Sequence, residues 1–263
     1  MRIVVLVKPV PDTASGGERL RPDDWRLDRP AVPAVVNAND EYALEAALKL
    51  TEAHGGEVIL VSMAGAGAPD TMRKALAMGA ASGTLVTDDA LAGSDTVSTA
   101  RVLAGALRDM DYDLVLAGAD TSDGGAGLVP AGIATLLGLP YLSYAAKIEP
   151  NPDGGTVRVH RISPTGYEVL EAPMPALVVA TQALGEPRYP SLKGIMAARS
   201  KTLETKTLAE IGVGDEPVGG AVATSAVLGS EAPPPRAATR VIREPADEAA
   251  RQVVDFLAER KVI

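Results

Sequence analysis

Residues 113–137 read DLVLAGADTSDGGAGLVPAGIATLL. The apolar run from Asp113 to Ala117 predicts a strand, and Leu128 to Leu137 predicts a helix stopped by Gly138. Between them lies a glycine-rich loop, Gly118-Ala119-Asp120-Thr121-Ser122-Asp123-Gly124-Gly125-Ala126-Gly127. A strand that turns through glycines into a helix is half of a βαβ unit.

The same alternation extends upstream. Ile3 to Val7 predicts a strand, and turn residues from Pro9 to Pro33 predict a loop. Asp40 to Ala53 predicts a helix, with Tyr42, Leu44, Ala47, Leu48 and Leu50 near helical spacing and Gly55-Gly56 ending it. Glu57 to Ser62 and Gly83 to Thr87 predict strands. Asp70 to Met78 predicts a helix before Gly79, and Asp95 to Arg108 a helix capped by Ser94. This order implies an α/β fold: a doubly wound, mostly parallel, Rossmann-like sheet with helices on both faces. Ligands of such sheets bind outside the carboxyl ends of the strands. The loops at that edge are Lys8 to Thr13, Val36 to Asp40, Met63 to Pro69 and Gly118 to Gly127.

Downstream of Pro140 the pattern changes. Tyr141 to Ile148, Thr156 to Ile162, Gly166 to Glu171 and Ala176 to Thr181 predict consecutive strands, with a turn at Asn151-Pro152-Asp153-Gly154-Gly155. They predict an antiparallel extension of the same sheet. Residues 1–202 then form an α/β nucleotide-binding domain, and residues 203–263 an extended C-terminal arm. The arm carries Gly219-Gly220 and Pro233-Pro234-Pro235, too poor in pattern to build a core alone. It ends in a predicted helix, Ala246 to Arg260, with an apolar stripe of Val253, Val254, Phe256 and Leu257. Such an arm packs either on its own body or on a second subunit.

Hydrophobic residues make up 46% of the 263, but aromatics only 3%, so Val, Leu, Ile, Ala and Met must form the core. A net charge of −9 without a basic tract argues against a nucleic-acid partner. No apolar run approaches the ~18 residues of a membrane span, so the chain is not expected to be membrane-embedded. The apolar start, Met1 to Lys8, reads as a strand, too short for a signal peptide. Without cysteine there is no disulfide, thiolate metal site or thiol catalysis, and a cytoplasmic location is expected.

The glycine loop is the foremost ligand candidate. Glycines let backbone N–H groups approach an anion, and a following helix N-terminus favours negative charge. Asp123 could cap that helix or bond a ribose hydroxyl. The loop is neither a Walker loop nor a strict GxGxxG fingerprint, and a flexible connection is the plainer alternative. Asn37-Ala38-Asn39-Asp40 precedes a helix, where it either caps or presents an amide to a base or ribose. His54, at a helix end, reads as a cap for carbonyls, and His160 reads as a surface strand residue. Two isolated histidines make neither a metal site nor a triad, and the adjacent Asp88-Asp89 pair should point apart or into solvent. No catalytic residue and no metal ligand is assigned.

One further segment stands out, Glu186-Pro187-Arg188-Tyr189-Pro190-Ser191-Leu192-Lys193-Gly194-Ile195-Met196-Ala197-Ala198-Arg199-Ser200-Lys201. Two prolines favour extended backbone, and Ser191 is placed to cap a short helical turn. Leu192, Ile195 and Met196, flanked by Arg188, Lys193, Arg199 and Lys201, read either as a docking surface or as a loop whose leucine returns to its own core.

These segments together resemble the beta subunit of electron transfer flavoprotein. The resemblance is carried by Val5-Leu6-Val7-Lys8-Pro9-Val10-Pro11-Asp12, by Asn37 to Ala46, Ala75 to Ala80 and Asp113 to Gly118, and by Glu186 to Ala198. It implies a heterodimer with an alpha subunit that holds most of the FAD, and a structural AMP in the beta subunit. It implies electrons arriving from acyl-CoA and related dehydrogenases, as in fatty acid oxidation, and leaving to a membrane quinone reductase. On that pattern the AMP site uses Leu6, Asn37, Ala38, Asn39, Asp40, Met63 and the loop Gly118 to Val129. That loop includes Asp120, Thr121, Asp123, Gly124, Gly125, Ala126, Gly127 and Leu128. Leu192 matches the leucine that enters a dehydrogenase pocket, with Tyr189, Ile195 and Met196 beside it. Thr13 and Asn39 stand where some members place an aromatic near the flavin. Gly124-Gly125-Ala126 stands where many have larger polar residues, whose place backbone amides could take. The flavin would carry the redox chemistry, and the chain would be an electron-carrier subunit. The alternatives are a stand-alone adenine-nucleotide-binding sensor and a nucleotide-hydrolysing enzyme of the same fold.

Overall fold

A computed structural model describes residues 1–15, 19–214, 217–231, 234 and 239–263. Pro233 and Pro235 of the triple proline, and residues 16–18 of the long N-terminal loop, lie outside the described residues. The elements follow in order: β1 (Arg2–Leu6), β2 (Pro9–Pro11), β3 (Ala34–Val36), α1 (Ala38–His54), β4 (Glu57–Met63), α2 (Pro69–Met78), β5 (Ser82–Val86), α3 (Thr96–Arg108), β6 (Leu114–Gly118), α4 (Val129–Leu137), β7 (Tyr141–Asn151), β8 (Thr156–Ser163), β9 (Gly166–Pro173), β10 (Ala176–Ala180), α5 (Leu192–Ala198), β11 (Leu203–Lys206) and α6 (Ala246–Glu259).

Among the described residues, nine strands form one sheet in the order β11-β5-β4-β1-β6-β10-β7-β8-β9. From β11 to β7 every pairing is parallel, and β8 and β9 follow antiparallel. Strand periodicity sorts the side chains between two layers. Ile3 and Val5 face a core shared with Leu44 of α1 and Leu76 of α2. Val4 and Leu6 face a second core with Leu103 of α3 and Ile133 of α4. The expected doubly wound, mostly parallel α/β sheet is the observed one.

Three details differ from the sequence expectation. β10 does not continue the antiparallel meander: it lies between β6 and β7 and runs parallel to both. Its residues, Ala176-Leu-Val-Val-Ala180, are all buried, as an interior parallel strand requires. Next, β2 and β3 pair as a short antiparallel ribbon inside the region expected to be loop. Pro9 and Pro11 hide that strand because proline removes a ladder donor. Last, β11 pairs parallel with β5, so the arm expected from Leu203 begins with a strand of the main sheet. Met1–Leu228 form one compact unit and Gly229–Ile263 a second. Within the second unit α6 buries none of its residues, and Val253, Val254 and Phe256 are exposed.

The winding reverses between β1 and β6. From β1 the sheet grows through β4 and β5, then the chain returns through α3 to lay β6 on the other side of β1. Such a switch opens a crevice outside the carboxyl ends of the two strands.

Candidate functional site

That crevice is a cavity of about 410 Å³, within the size range of small-molecule sites. β1 contributes Leu6, followed by Val7 and Lys8; β4 contributes Val61 and Met63. Gly118, the glycine loop and the first turn of α4 form another wall, and Thr96, Thr99 and Leu103 of α3 form a third. Ser225 completes the lining. Apolar side chains and backbone make up most of the lining, and its polar side chains include Lys8, Asp40, Asp95, Thr99, Asp120 and Thr121.

Of the residues expected here, Leu6, Asp40, Met63, Gly118, Asp120, Thr121, Gly124, Ala126, Gly127, Leu128 and Val129 line the cavity. Asn37, Ala38, Asn39, Asp123 and Gly125 do not. Asn37 and Asn39 both donate to the Asp120 carbonyl, at 2.8 and 2.9 Å. Asn37 occupies the N-cap position of α1 without a side-chain capping bond, and its oxygen accepts from Ser122 N–H at 3.3 Å. The two amides pin the loop to α1. Asp40 is buried and accepts the Lys8 N–H at 2.8 Å. Burial pushes its carboxyl up to about 7, against the pull of the Lys8 N–H and the Asn37 side chain. Gly118 is required beside it, since a Cβ there would lie 2.5 Å from Asp40 Oδ1.

The loop satisfies several of its own amides. Asp120 Oδ1 accepts from Thr121 N–H at 2.7 Å and Gly127 N–H at 3.2 Å. Thr121 accepts from Gly124 N–H at 3.3 Å through its hydroxyl and from Gly125 N–H at 3.0 Å through its carbonyl. The amides of Ala126, Leu128 and Val129 have no partner among the described residues, and α4 has no side-chain cap. These N–H groups, at the positive end of the α4 dipole, can receive an anion.

Asp123 neither caps α4 nor lines the cavity. Its side chain is 1% exposed and bridges Lys8 Nζ at 2.8 Å and Arg29 Nη2 at 2.5 Å. Burial alone would raise its carboxyl, but the Lys8 ammonium and the Arg29 guanidinium hold it down to about 2.

Sequence reasoning missed the wall built by α3. Asp95, not Ser94, caps this helix, accepting Ser98 N–H at 2.8 Å. The other Asp95 oxygen accepts the N–H and hydroxyl of Thr224, both at 2.8 Å, which ties the segment carrying Ser225 to the cavity wall. An aspartate ahead of the helix was a legible capping signal, whereas nothing near Thr224 marks it as a neighbour.

The second candidate region is α5. Ser191 caps it as expected, accepting Gly194 N–H at 3.0 Å. Leu192 is 75% exposed and Met196 65%, which excludes a leucine returned to its own core. Tyr189 and Ile195 are exposed beside them. Of the flanking cations, Lys193 and Arg199 stay at the surface. Arg188 pairs with Glu45 and Glu52, and Lys201 donates to backbone carbonyls.

His54 is exposed on the last turn of α1, and His160 bonds Glu149 at 2.7 Å. Among the described residues no group of histidine and carboxylate side chains could hold a metal ion, and no helix is long and apolar enough to cross a membrane.

Comparison with known proteins places this geometry in context. The sequence model of the electron transfer flavoprotein domain matches residues 24–211. The chain is 40% identical over 267 residues to the electron transfer flavoprotein subunit beta of Mycobacterium tuberculosis, covering 99% of each chain. It is 36% identical to the subunit of the same name from Clostridium acetobutylicum and 34% to that from Bacillus subtilis, covering 100% of both proteins in each case.

Proposed function

The chain belongs to the electron transfer flavoprotein family and is related to its beta subunits along its whole length, and we propose that it is the nucleotide-holding half of a heterodimeric electron carrier. Its partner is an alpha subunit that holds most of an FAD. Electrons arrive from acyl-CoA and related dehydrogenases and pass to a membrane quinone reductase. The absence of cysteine suits a cytoplasmic setting.

The cavity at the winding reversal carries this reading. Its size and apolar lining suit an adenine, and the amides of Ala126, Leu128 and Val129 suit a phosphate. AMP is the ligand proposed. Asn37 and Asn39 act on it indirectly, by fixing the loop. Bound flavin supplies the redox chemistry, and the residues of this chain supply position and partner choice. Leu192, with Tyr189, Ile195 and Met196, supplies an exposed apolar anchor for a transient donor. The exposed stripe of α6 supports an arm that embraces the alpha subunit.

The test is co-expression with an alpha subunit, followed by denaturation and mass spectrometry of the released nucleotides. One AMP per heterodimer and a yellow FAD spectrum are expected. A colourless complex refutes the carrier, and a yellow complex without AMP refutes the ligand assignment alone.

A further inference from the structure

A helix of seven residues has too few internal hydrogen bonds to stand by itself in water, so the pose of α5 must be imposed from outside. The imposition is reciprocal. Arg73 of α2 donates through Nη1 to the carbonyls of Ala198 and Lys201, at 2.6 and 2.7 Å, at the C-terminal end of α5. Lys201, just beyond α5, donates through Nζ to the carbonyls of Leu76 and Ala80, at 3.0 and 2.6 Å, at the C-terminal end of α2. Each segment thus places a cation on carbonyls at or just past the C-terminal end of the other helix, where the helix dipole is negative. Neither cation has an acidic partner among the described residues. Both are committed to main chain.

The contact between the two helices is close. A Cβ at Gly194 would lie 2.4 Å from the Ala77 carbonyl, so only glycine lets α5 rest on α2 at this distance. Ala198 is buried, while Leu192 and Met196 remain exposed. The inner side of α5 is fixed and its outer side is presented.

We propose that Arg73 and Lys201 are positioning residues which, by exchanging caps between α2 and α5, hold Leu192 ready for its electron donor. The inference rests on the docking reading of α5 given above. Its consequence is that docking orders little new structure, a cost that otherwise weakens association.

The experiment uses the full heterodimer as wild type, Arg73→Met, Lys201→Met, Leu192→Ala and the Lys201→Met/Leu192→Ala double variant. Amide hydrogen exchange is followed over residues 194–198, with residues 114–129 as the fold control. Steady-state reduction by an acyl-CoA dehydrogenase, kept reduced by its acyl-CoA, gives KM and kcat for the carrier. Exchange in α5 is expected to rise about tenfold or more in both Met variants, a loss of local stability large enough to fray a short helix, with the control segment unchanged. KM is expected to rise about tenfold with kcat unchanged, corresponding to one decade of affinity. In the Leu192→Ala background Lys201→Met should add almost nothing, because both act on one contact. Unchanged exchange in both Met variants overturns the proposal, as does a Lys201→Met effect that simply adds to that of Leu192→Ala. If the wild type accepts no electrons from the dehydrogenase, the donor reading fails, and the exchange rates still decide whether the caps hold α5.

Discussion

Arg188 and Glu45 meet at 2.7 Å although 143 residues separate them in sequence. The Arg188 N–H also donates to Glu45, at 3.1 Å, and the guanidinium reaches on to Glu52. The Glu45 side chain is only 5% exposed. Burial alone would raise its carboxyl, but the Arg188 bonds hold it below the usual glutamate range. α1 therefore serves two regions: its first turn brings Asp40 to the cavity, and its middle fastens the root of the α5 segment.

Removing that guanidinium leaves a buried carboxylate with only Lys49 near it, at 3.5 Å. Arg188→Met is expected to destabilise the chain by about 3 kcal/mol, the low end for breaking a buried pair. Urea unfolding measures this, and a variant as stable as its parent refutes it. The Arg188→Met/Glu45→Gln double variant should lose less than the sum of its single changes.

Leu192→Ala is expected to slow electron uptake from a dehydrogenase by about tenfold, as for loss of one interface anchor. Folding, flavin content and nucleotide content should stay at parental values because Leu192 is exposed. Stopped-flow kinetics decides, and unchanged uptake counts against the anchor.

Asp123 makes an acid-limb prediction. Its folded-state pKa, about 2, lies below the ordinary 3.8, so its stabilisation is present above pH 3.8 and is lost as pH falls through 2. The shift corresponds to about 2 kcal/mol. Asp123→Asn should be less stable than the parent at neutral pH by about that amount, with the gap closing in acid. Denaturation series at pH 2 to 6 test it, and a gap independent of pH speaks against the ion triad.

Asp40 has the opposite sign. Its folded-state pKa is raised from 3.8 to about 7, so the protonated group favours the fold fully below pH 3.8. That advantage is lost as pH rises through 7. Asp40→Asn should therefore gain relative to the parent between pH 4 and 7 and hold the gain above. A stability difference that stays flat across this window would contradict a buried, proton-binding Asp40.

Gly118→Ala is expected to cost nucleotide as well as stability. Its new methyl would lie 2.5 Å from Asp40 Oδ1 and 2.6 Å from the Asn39 backbone. A loss of about 2 kcal/mol is expected from such overpacking, read by thermal unfolding. Full AMP occupancy in that variant would show that the wall tolerates displacement.

The parallel half of the sheet was legible because its signals are local: apolar runs, glycine stops and capping residues recur between Ile3 and Leu137. The glycine loop was legible for the same reason. The partnership of Asp123 was not, since Lys8 and Arg29 approach it from the N-terminal region through a tertiary contact. Burial raises both carboxyls, but only Asp123 has two cations that reverse the shift, and no spacing rule distinguishes two aspartates in polar stretches. β10 read correctly as a strand but not in position, because order within a sheet depends on which edge is open when the strand returns. β11 is four residues with two charged side chains, below what periodicity can resolve.

The placement of β10 also governs how this molecule must be made. During synthesis β6 and β7 emerge first, yet they are not neighbours: the strand that joins them comes only after the whole β8–β9 hairpin. Until Ala180 has left the ribosome, β6 has a bare hydrogen-bonding edge and the two flanks of the sheet have no seam between them. The nascent chain carries that unfinished edge from Gly118 until Ala180 has emerged, a natural point for a chaperone to hold it.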